Sequence, residues 1–183
     1  MANKIIVSAI PEIENDEKCA WIKNVEGFFQ KLMMETDVTN WEVSVFFCDD
    51  EKMKELNSQY RNIDDTTDVL SFESDSSYID DEGNEIDVAG DIVISIPALM
   101  RNAEYFSVNA DDELKRLLTH GFLHLSGQDH GEYHIGKEGC ILDENQKVPV
   151  YSQLTDEKKA ECDMLVFQES LLEKLSSIKI ITN

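Results

Sequence analysis

The 183-residue sequence lacks long hydrophobic segments. No apolar run approaches the roughly 20 residues that a membrane-spanning helix requires, which argues against a membrane protein. Hydrophobic residues make up 42% of the chain and charged residues 30%, which is typical of a soluble globular protein. This length suits one domain with a sizeable core. We therefore expect residues 1–183 to form a single domain.

Cysteines in a pairing pattern are also lacking. The four cysteines are widely spread, with no Cys-x2-Cys pair: Cys19, Cys48, Cys140 and Cys162. This pattern does not indicate a disulfide framework, and it predicts a reduced, cytoplasmic protein. Cys19, Cys48 and Cys162 fall in apolar patterns, so we expect these three to be buried thiols.

Basic residues are scarce. The chain has 16 Lys and Arg against 38 Asp and Glu, a formal net charge of -22. Such a charge opposes non-specific binding to polyanions, and no binding to DNA is expected. An RNA-directed function would require a local positive patch or a metal ion to offset the repulsion.

Three of the four histidines lie close together, within residues 119–130. His120 and His124 are four residues apart, so they share one face of a helix. Gly127 follows where glycine can end a helix in the left-handed conformation, and the turn can return His130 to the same place. Three imidazoles that leave a fourth position open are typical of a catalytic zinc site. Other divalent transition metals suit the same nitrogens.

The spacing is similar to that of metzincin proteases, His-Glu-x2-His-x2-Gly-x2-His, in which the glutamate is the general base. Gly121 occupies the glutamate position in this chain. The pattern therefore predicts a zincin-like metal-site helix without the protease base, which disfavours peptide hydrolysis. Gly121 also falls within the apolar stripe of this helix, and this indicates close packing of the helix on a sheet.

Hydrophobic periodicity predicts alternating strands and helices, with strands at residues 4–10, 41–47, 69–72 and 90–95. Helices are expected at 16–33, 50–60, 97–106, 110–125 and 155–175. The acidic residues 74–89 form either an exposed hairpin or a mobile loop, and residues 131–151 form an irregular connection. The fold class is α/β (α+β), with a small mixed sheet of about four strands and about five helices.

Arg61 is one of only three arginines. It lies before a loop of Asp and Thr residues that leads into the strand at 69–72. A surface position is usual for a lone arginine, but the start of a strand could also hold the guanidinium toward a cleft. Both alternatives are compatible with the sequence.

Several motifs together resemble the YbeY family of bacterial endoribonucleases, the rRNA maturation factors. The motifs are Leu56-Asn57 with Tyr60-Arg61, Thr67-Asp68-Val69-Leu70-Ser71-Phe72, Gly90-Asp91-Ile92-Val93-Ile94, and the histidine stretch 120–130. The last helix, with Met164 and Glu169, also agrees. They span most of the chain in the order found in the family. Residues 75–87 and 131–153 are longer than is usual there.

The resemblance implies a single α/β domain with Zn²⁺ held by His120, His124 and His130 and with Arg61 as a catalytic residue in a cleft. It implies a metal-dependent, single-strand-specific endoribonuclease acting in 16S rRNA 3′-end maturation and ribosome quality control. The implied partners are the 16S rRNA precursor and the ribosome or ribosome-associated proteins.

On this interpretation Arg61 would stabilise phosphate charge with a bidentate fork. Asp129 or Asp91 would orient the second nitrogen of a histidine; the alternative for both is a turn-capping or structural role, which is slightly favoured for Asp91. No residue stands out as a general base. Two other hypotheses remain: a zinc hydrolase of another phosphoester or of a peptide, and a non-catalytic, zinc-stabilised ribosome-associated module.

Overall fold

A computed structural model of the chain describes residues 3–131, 134–135, 141–142 and 162–182. Its four-stranded sheet has the order β1-β2-β4-β3, built from β1 (Lys4–Ala9), β2 (Trp41–Cys48), β3 (Val69–Ile79) and β4 (Glu85–Ser95). Strands β1, β2 and β4 are parallel, and β3 is antiparallel to β4. Two short strands, β5 (His134–Ile135) and β6 (Ile141–Leu142), form a separate antiparallel pair. The main sheet is mixed, as predicted.

Among the described residues the predicted helices occur in their predicted order, and a short helix at residues 11–14 was not predicted. The helices of this part of the chain are α1 (Pro11–Glu14), a 3₁₀ helix (Glu17–Asn24), α2 (Val25–Glu35), α3 (Asp50–Arg61), α4 (Ile96–Phe106), α5 (Ala110–Leu125) and α6 (Asp163–Lys174). The prediction of one regular helix at 16–33 is wrong for its first half. That half buries only Trp21, so few core contacts enforce a 3.6-residue period. The predicted start of the last helix, residues 155–161, lies outside the described residues.

Strands β3 and β4 are longer than the sequence pattern predicted. They continue into a hairpin that takes in most of residues 74–89, so the hairpin alternative is confirmed. Asp80 forms its turn, accepting the N–H groups of Glu82 and Asn84 at 2.9 and 2.8 Å. The acidic and serine side chains there are mostly exposed. Because of this polarity, hydrophobic periodicity did not predict these parts of the strands.

The sheet is covered on both faces. Ile92 and Ile94 of β4 belong to the main core, which includes side chains of α2, α5 and α6. Val93, between them, belongs to a second cluster with Met53 of α3, because successive side chains of a strand point to opposite faces. Helix α5 therefore lies against one face of the sheet and α3 against the other. We further propose that residues 1–183 form a single domain around this core.

Two other expectations concern the cysteines and the membrane. Cys48 and Cys162 are buried, as predicted, whereas Cys19 is only half-buried. Cys140 lies outside the described residues. Burial raises the pKa of Cys48 to about 12, so that thiol is inert at neutral pH. Within the described part of the chain, every helix is too short or too polar to cross a membrane.

Candidate metal centre

Helix α5 begins and ends at sequence-encoded caps. Asn109 is the N-cap, and its Oδ1 accepts the N–H of Asp112 at 2.8 Å. At the other end Gly127 has a φ of +76°. Its N–H donates to the carbonyl of His124 at 2.8 Å, and the next N–H donates to Leu123 at 3.1 Å. This is the Schellman arrangement, and it reverses the chain so that residue 130 returns to the helix, as predicted.

The three histidines come together at this turn. The Nε2 atoms of His120 and His124 are 3.1 Å apart, and the ring centroids of the triad, which includes His130, are 4.7 to 5.2 Å apart. One nitrogen from each ring lies within 4.8 Å of the other two. Tetrahedral zinc with Zn–N bonds of 2.0–2.1 Å would require nitrogens about 3.3 Å apart. The triad therefore fits a single metal ion.

The protonation states also suit a metal. Burial lowers the pKa of His120 to about 4, and the neighbouring His124 and His130 act in the same direction. Burial, followed by the charge of His130, also lowers the pKa of His124. Nδ1 of His130 is buried and has no hydrogen-bond partner among the described residues. Neutral imidazole is the form that binds metals, so His120 and His124 are ready to coordinate at neutral pH.

Gln168 of α6 orients His120, and sequence analysis did not identify it. Its Oε1 lies 3.0 Å from Nδ1 of His120. Its Nε2 donates to Oε1 of Glu169 at 3.2 Å, which fixes the orientation of the amide because a carboxylate can only accept. Nδ1 of His120 therefore carries the proton, and Nε2 is left for a metal. Its position on the helix could have identified it, because Gln168 shares one helix face with the buried residues Met164 and Leu171.

The two aspartates considered for this role have other positions. Oδ1 of Asp129 accepts the N–H groups of His130 at 2.7 Å and of Gly131 at 3.2 Å. These bonds hold the pKa of Asp129 below its ordinary value and cap the turn that carries His130. Asp91 is exposed on β4. The turn-capping interpretation is correct for Asp129, and neither aspartate has a hydrogen bond to a histidine ring among the described residues.

Arg61 lies beside the triad, although it is 59 or more residues away in sequence. A cavity of about 370 Å³ is lined by residues from α3, β3, α5 and the histidine turn, including Arg61, Asp68, Ser71, His120, His124 and His130. We name it the arginine cavity. The two other arginines are already paired, Arg101 with Asp50 at 2.6 Å and Arg116 with Glu169 at 2.7 Å. Within the described ranges, Arg61 has no carboxylate at ion-pair distance.

Gly121 is where helix and sheet approach most closely. It is buried, and a Cβ atom there would lie 2.9 Å from Cγ2 of Ile92 on β4. The predicted packing of this helix on the sheet is confirmed. The position that holds the general base in metzincins therefore has no room for a side chain unless Ile92 moves.

Comparison with known proteins shows which family the chain belongs to. A family model described as Endoribonuclease YbeY matches residues 9–147. The chain belongs to this family. It is 39% identical to the Endoribonuclease YbeY of Treponema denticola over 182 residues, 98% of each chain. It is 44% identical to the Endoribonuclease YbeY of Treponema pallidum (strain Nichols) over 124 residues, 68% of this chain and 78% of that one. The family predicted from the motifs is thus confirmed.

The fold has a solved counterpart. The solution structure of TM1509 from Thermotoga maritima matches with a TM-score of 0.53 and 22% identity, covering 93% of this chain and 88% of that one. At this identity the likeness concerns the fold alone, and the predicted fold class is confirmed. The alignment with the Treponema denticola relative of the YbeY family also spans residues 75–87 and 131–153, so the length of these two segments is not peculiar to this chain.

Proposed function

We propose that this protein is a metal-dependent endoribonuclease that cleaves single-stranded RNA. His120, His124 and His130 hold the metal, and Arg61 contacts the scissile phosphate. One observation carries the proposal: the three imidazoles and Arg61 line the same cavity. The name of the family, Endoribonuclease YbeY, supports this enzyme class. A cavity of about 370 Å³ suits a group the size of one nucleotide.

The metal is Zn²⁺, one per chain, because three neutral imidazoles with an open fourth position suit zinc. When bound, zinc supplies Lewis acidity toward a phosphoryl oxygen and lowers the pKa of water. Arg61 adds a planar guanidinium that binds two phosphate oxygens at once, which a lysine cannot do. Gln168 holds His120 in the tautomer that offers Nε2.

The substrate is the 3′ end of the 16S rRNA precursor, and the protein acts in the cytoplasm in rRNA maturation and ribosome quality control. A net charge of -22 opposes tight RNA binding by the chain alone. The ribosome or ribosome-associated proteins therefore provide part of the affinity. Peptide hydrolysis is the weaker alternative because Gly121 occupies the position of the glutamate base of metzincin proteases.

The test is cleavage of an end-labelled 16S rRNA 3′ fragment by wild type and three variants purified in parallel. Arg61→Ala and His120→Ala remove the proposed machinery. Arg101→Ala is the matched control, since it removes the same charge from an arginine that is paired with Asp50 on the surface. We expect the Arg61 variant to lose about 10² to 10³ of the single-turnover rate, the His120 variant to be inactive, and the control to keep the wild-type rate.

Two outcomes would contradict the proposal. Equal cleavage by all four proteins would indicate a contaminating ribonuclease. No cleavage by wild type carrying one zinc per chain would favour a ribosome-associated module without activity of its own. Annealing a complementary strand to the fragment tests the strand preference, and the duplex is expected to resist cleavage.

A further inference from the structure

A second cavity lies on the other side of the histidine triad. Its volume is about 360 Å³, close to that of the arginine cavity. The two cavities share Asp68, Val69, His120 and His130 as lining residues. A metal held by the triad would therefore border both. We name this second space the Glu113 cavity, and its own walls come from α4, α5 and α6.

The Glu113 cavity is lined by a buried carboxylate that has one oxygen outside any hydrogen bond among the described residues. Glu113 is only 1% exposed, and its Oε2 has no hydrogen-bond partner in the described part of the chain. Nε of Arg116 forms an ion pair with this oxygen at 3.5 Å. Burial raises the pKa of Glu113; Asp68 and Glu169 add to the rise, and Arg116 and Asn102 oppose it. A buried acceptor without a donor is costly, so this oxygen favours a ligand that brings an N–H group.

The charges of this cavity disfavour a phosphate. Arg116, its only arginine, donates to Glu169 at 2.7 Å. Asn102 is also engaged, because its Nδ2 donates to Asp68 at 2.7 Å. Two carboxylates, Asp68 and Glu113, line the space and would repel an anion. Apolar surface comes from Phe106 and from leucines of α5 and α6. The combination suits a flat, neutral group that donates hydrogen bonds.

We propose that the Glu113 cavity binds the base of a nucleotide adjacent to the scissile phosphate, with Glu113 accepting an N–H group of the base edge and Phe106 packing against the base. The inference rests on the proposed endoribonuclease function. An endonuclease must hold nucleotides on both sides of the bond that it cleaves. The arginine cavity binds the scissile phosphate and the nucleotide on one side of it. The Glu113 cavity binds the base of the nucleotide on the other side.

The experiment measures binding, which does not depend on cleavage. Short, fluorescent 2′-O-methyl RNA strands carry a single abasic position that is moved along the sequence, and their affinity is read by fluorescence anisotropy. With zinc-loaded wild type, removal of one particular base should weaken binding about tenfold, the loss expected for one hydrogen bond to a charged group. In Glu113→Leu the same abasic position should cost less than about twofold.

Glu104→Leu is the matched control, because Glu104 is exposed on α4 and lies outside both cavities. In this variant the abasic position should weaken RNA binding as much as it does in wild type. If Glu113→Leu does not fold, judged by its thermal melt, Phe106→Leu decides the matter, since Phe106 is only half-buried and its loss should also reduce the penalty. The inference is overturned if no abasic position weakens binding to wild type, or if the penalty persists in both cavity variants.

The same samples are tested for cleavage of unmodified RNA. Wild type that shows the base-dependent binding but cleaves no RNA would contradict the proposed function while supporting the base site. Wild type that cleaves RNA without any base-dependent binding would support the proposed function and contradict the base site.

Discussion

Gln168 accepts the Nδ1–H of His120 at 3.0 Å from a helix that lies 48 residues further along the chain. The bond joins α6 to the face of α5 that carries His120 and His124. Arg116 and Glu169 continue the network at 2.7 Å. The histidine triad is thus held by a tertiary contact as well as by the local spacing of the histidines.

Gln168→Leu should weaken zinc binding about 10- to 100-fold, the usual effect of removing a partner of a metal-ligating histidine. Gln168→Glu should retain most of the affinity because a carboxylate still accepts the Nδ1–H. Competition with a chromogenic chelator at pH 7 measures both constants. Gln30→Leu, on the exposed face of α2, is the control. Equal affinities for wild type and Gln168→Leu would show that the contact does not orient the ligand.

Gly121→Ala should lower the free energy of unfolding by about 1–3 kcal/mol, because the new methyl group would overpack the contact with Ile92. Gly27→Ala provides the matched comparison. A Cβ atom at Gly27 meets no atom within 4 Å, and alanine favours the helix, so that variant should gain up to about 1 kcal/mol. Urea denaturation measures both. A neutral or stabilising Gly121→Ala would refute the close approach of α5 to β4.

Asp111 ties the C-terminal segment to α5. Its Oδ1 accepts the N–H groups of Ile180 and Ile181 at 2.7 and 2.8 Å, and its Oδ2 lies 3.2 Å from Nζ of the buried Lys115. Asp111→Ala should cost about 3 kcal/mol because it leaves two backbone N–H groups without their acceptor, in addition to removing one partner of the buried ammonium. Asp112→Ala, whose side chain is 46% exposed beside the same lysine, should cost about 1 kcal/mol or less. Similar losses in the two variants would contradict this account.

The ionisation of Asp111 should also make the free energy of unfolding depend on pH in the acid range. Burial acts to raise the pKa of Asp111, but the N–H groups of Ile181 and Ile180 and the charge of Lys115 outweigh it, so the folded-state pKa lies below its ordinary value. The stabilisation is complete above the unfolded-state pKa of about 3.9. It is lost as pH falls through the lower folded-state pKa. Urea midpoints measured from neutral to acid pH should fall more steeply for wild type than for Asp111→Asn, and parallel curves would count against it.

Local signals in the sequence were sufficient to predict that the three histidines come together. His120 and His124 are one helical turn apart, and Gly127 provides the reversal that returns His130, so the triad depends on one short segment. The strand order and the placement of Arg61 are tertiary properties. Arg61 could be assigned to a cleft only through the family resemblance, and the structure places it beside the triad.

The sequence analysis did not identify residues whose role depends on a distant element. Asp111 and Glu113 look like ordinary acids in the first turn of a helix, yet they are 6% and 1% exposed. Asp111 holds the C-terminal segment, and Glu113 lines a cavity. Gln168 was not identified for the same reason, because its partner His120 lies on another helix. A polar residue on an otherwise apolar helix face is the signal that identifies such positions.

The most direct test of the central claim, that the histidine triad holds the metal required for RNA cleavage, is a metal titration. Protein stripped with a chelator is assayed for cleavage of the 16S rRNA 3′ fragment as zinc is added back. We predict no cleavage by the stripped protein, a rise that ends at one zinc per chain, and no rise for His130→Ala. Cleavage by the stripped protein at the full rate, or the same rise in His130→Ala, would contradict the account.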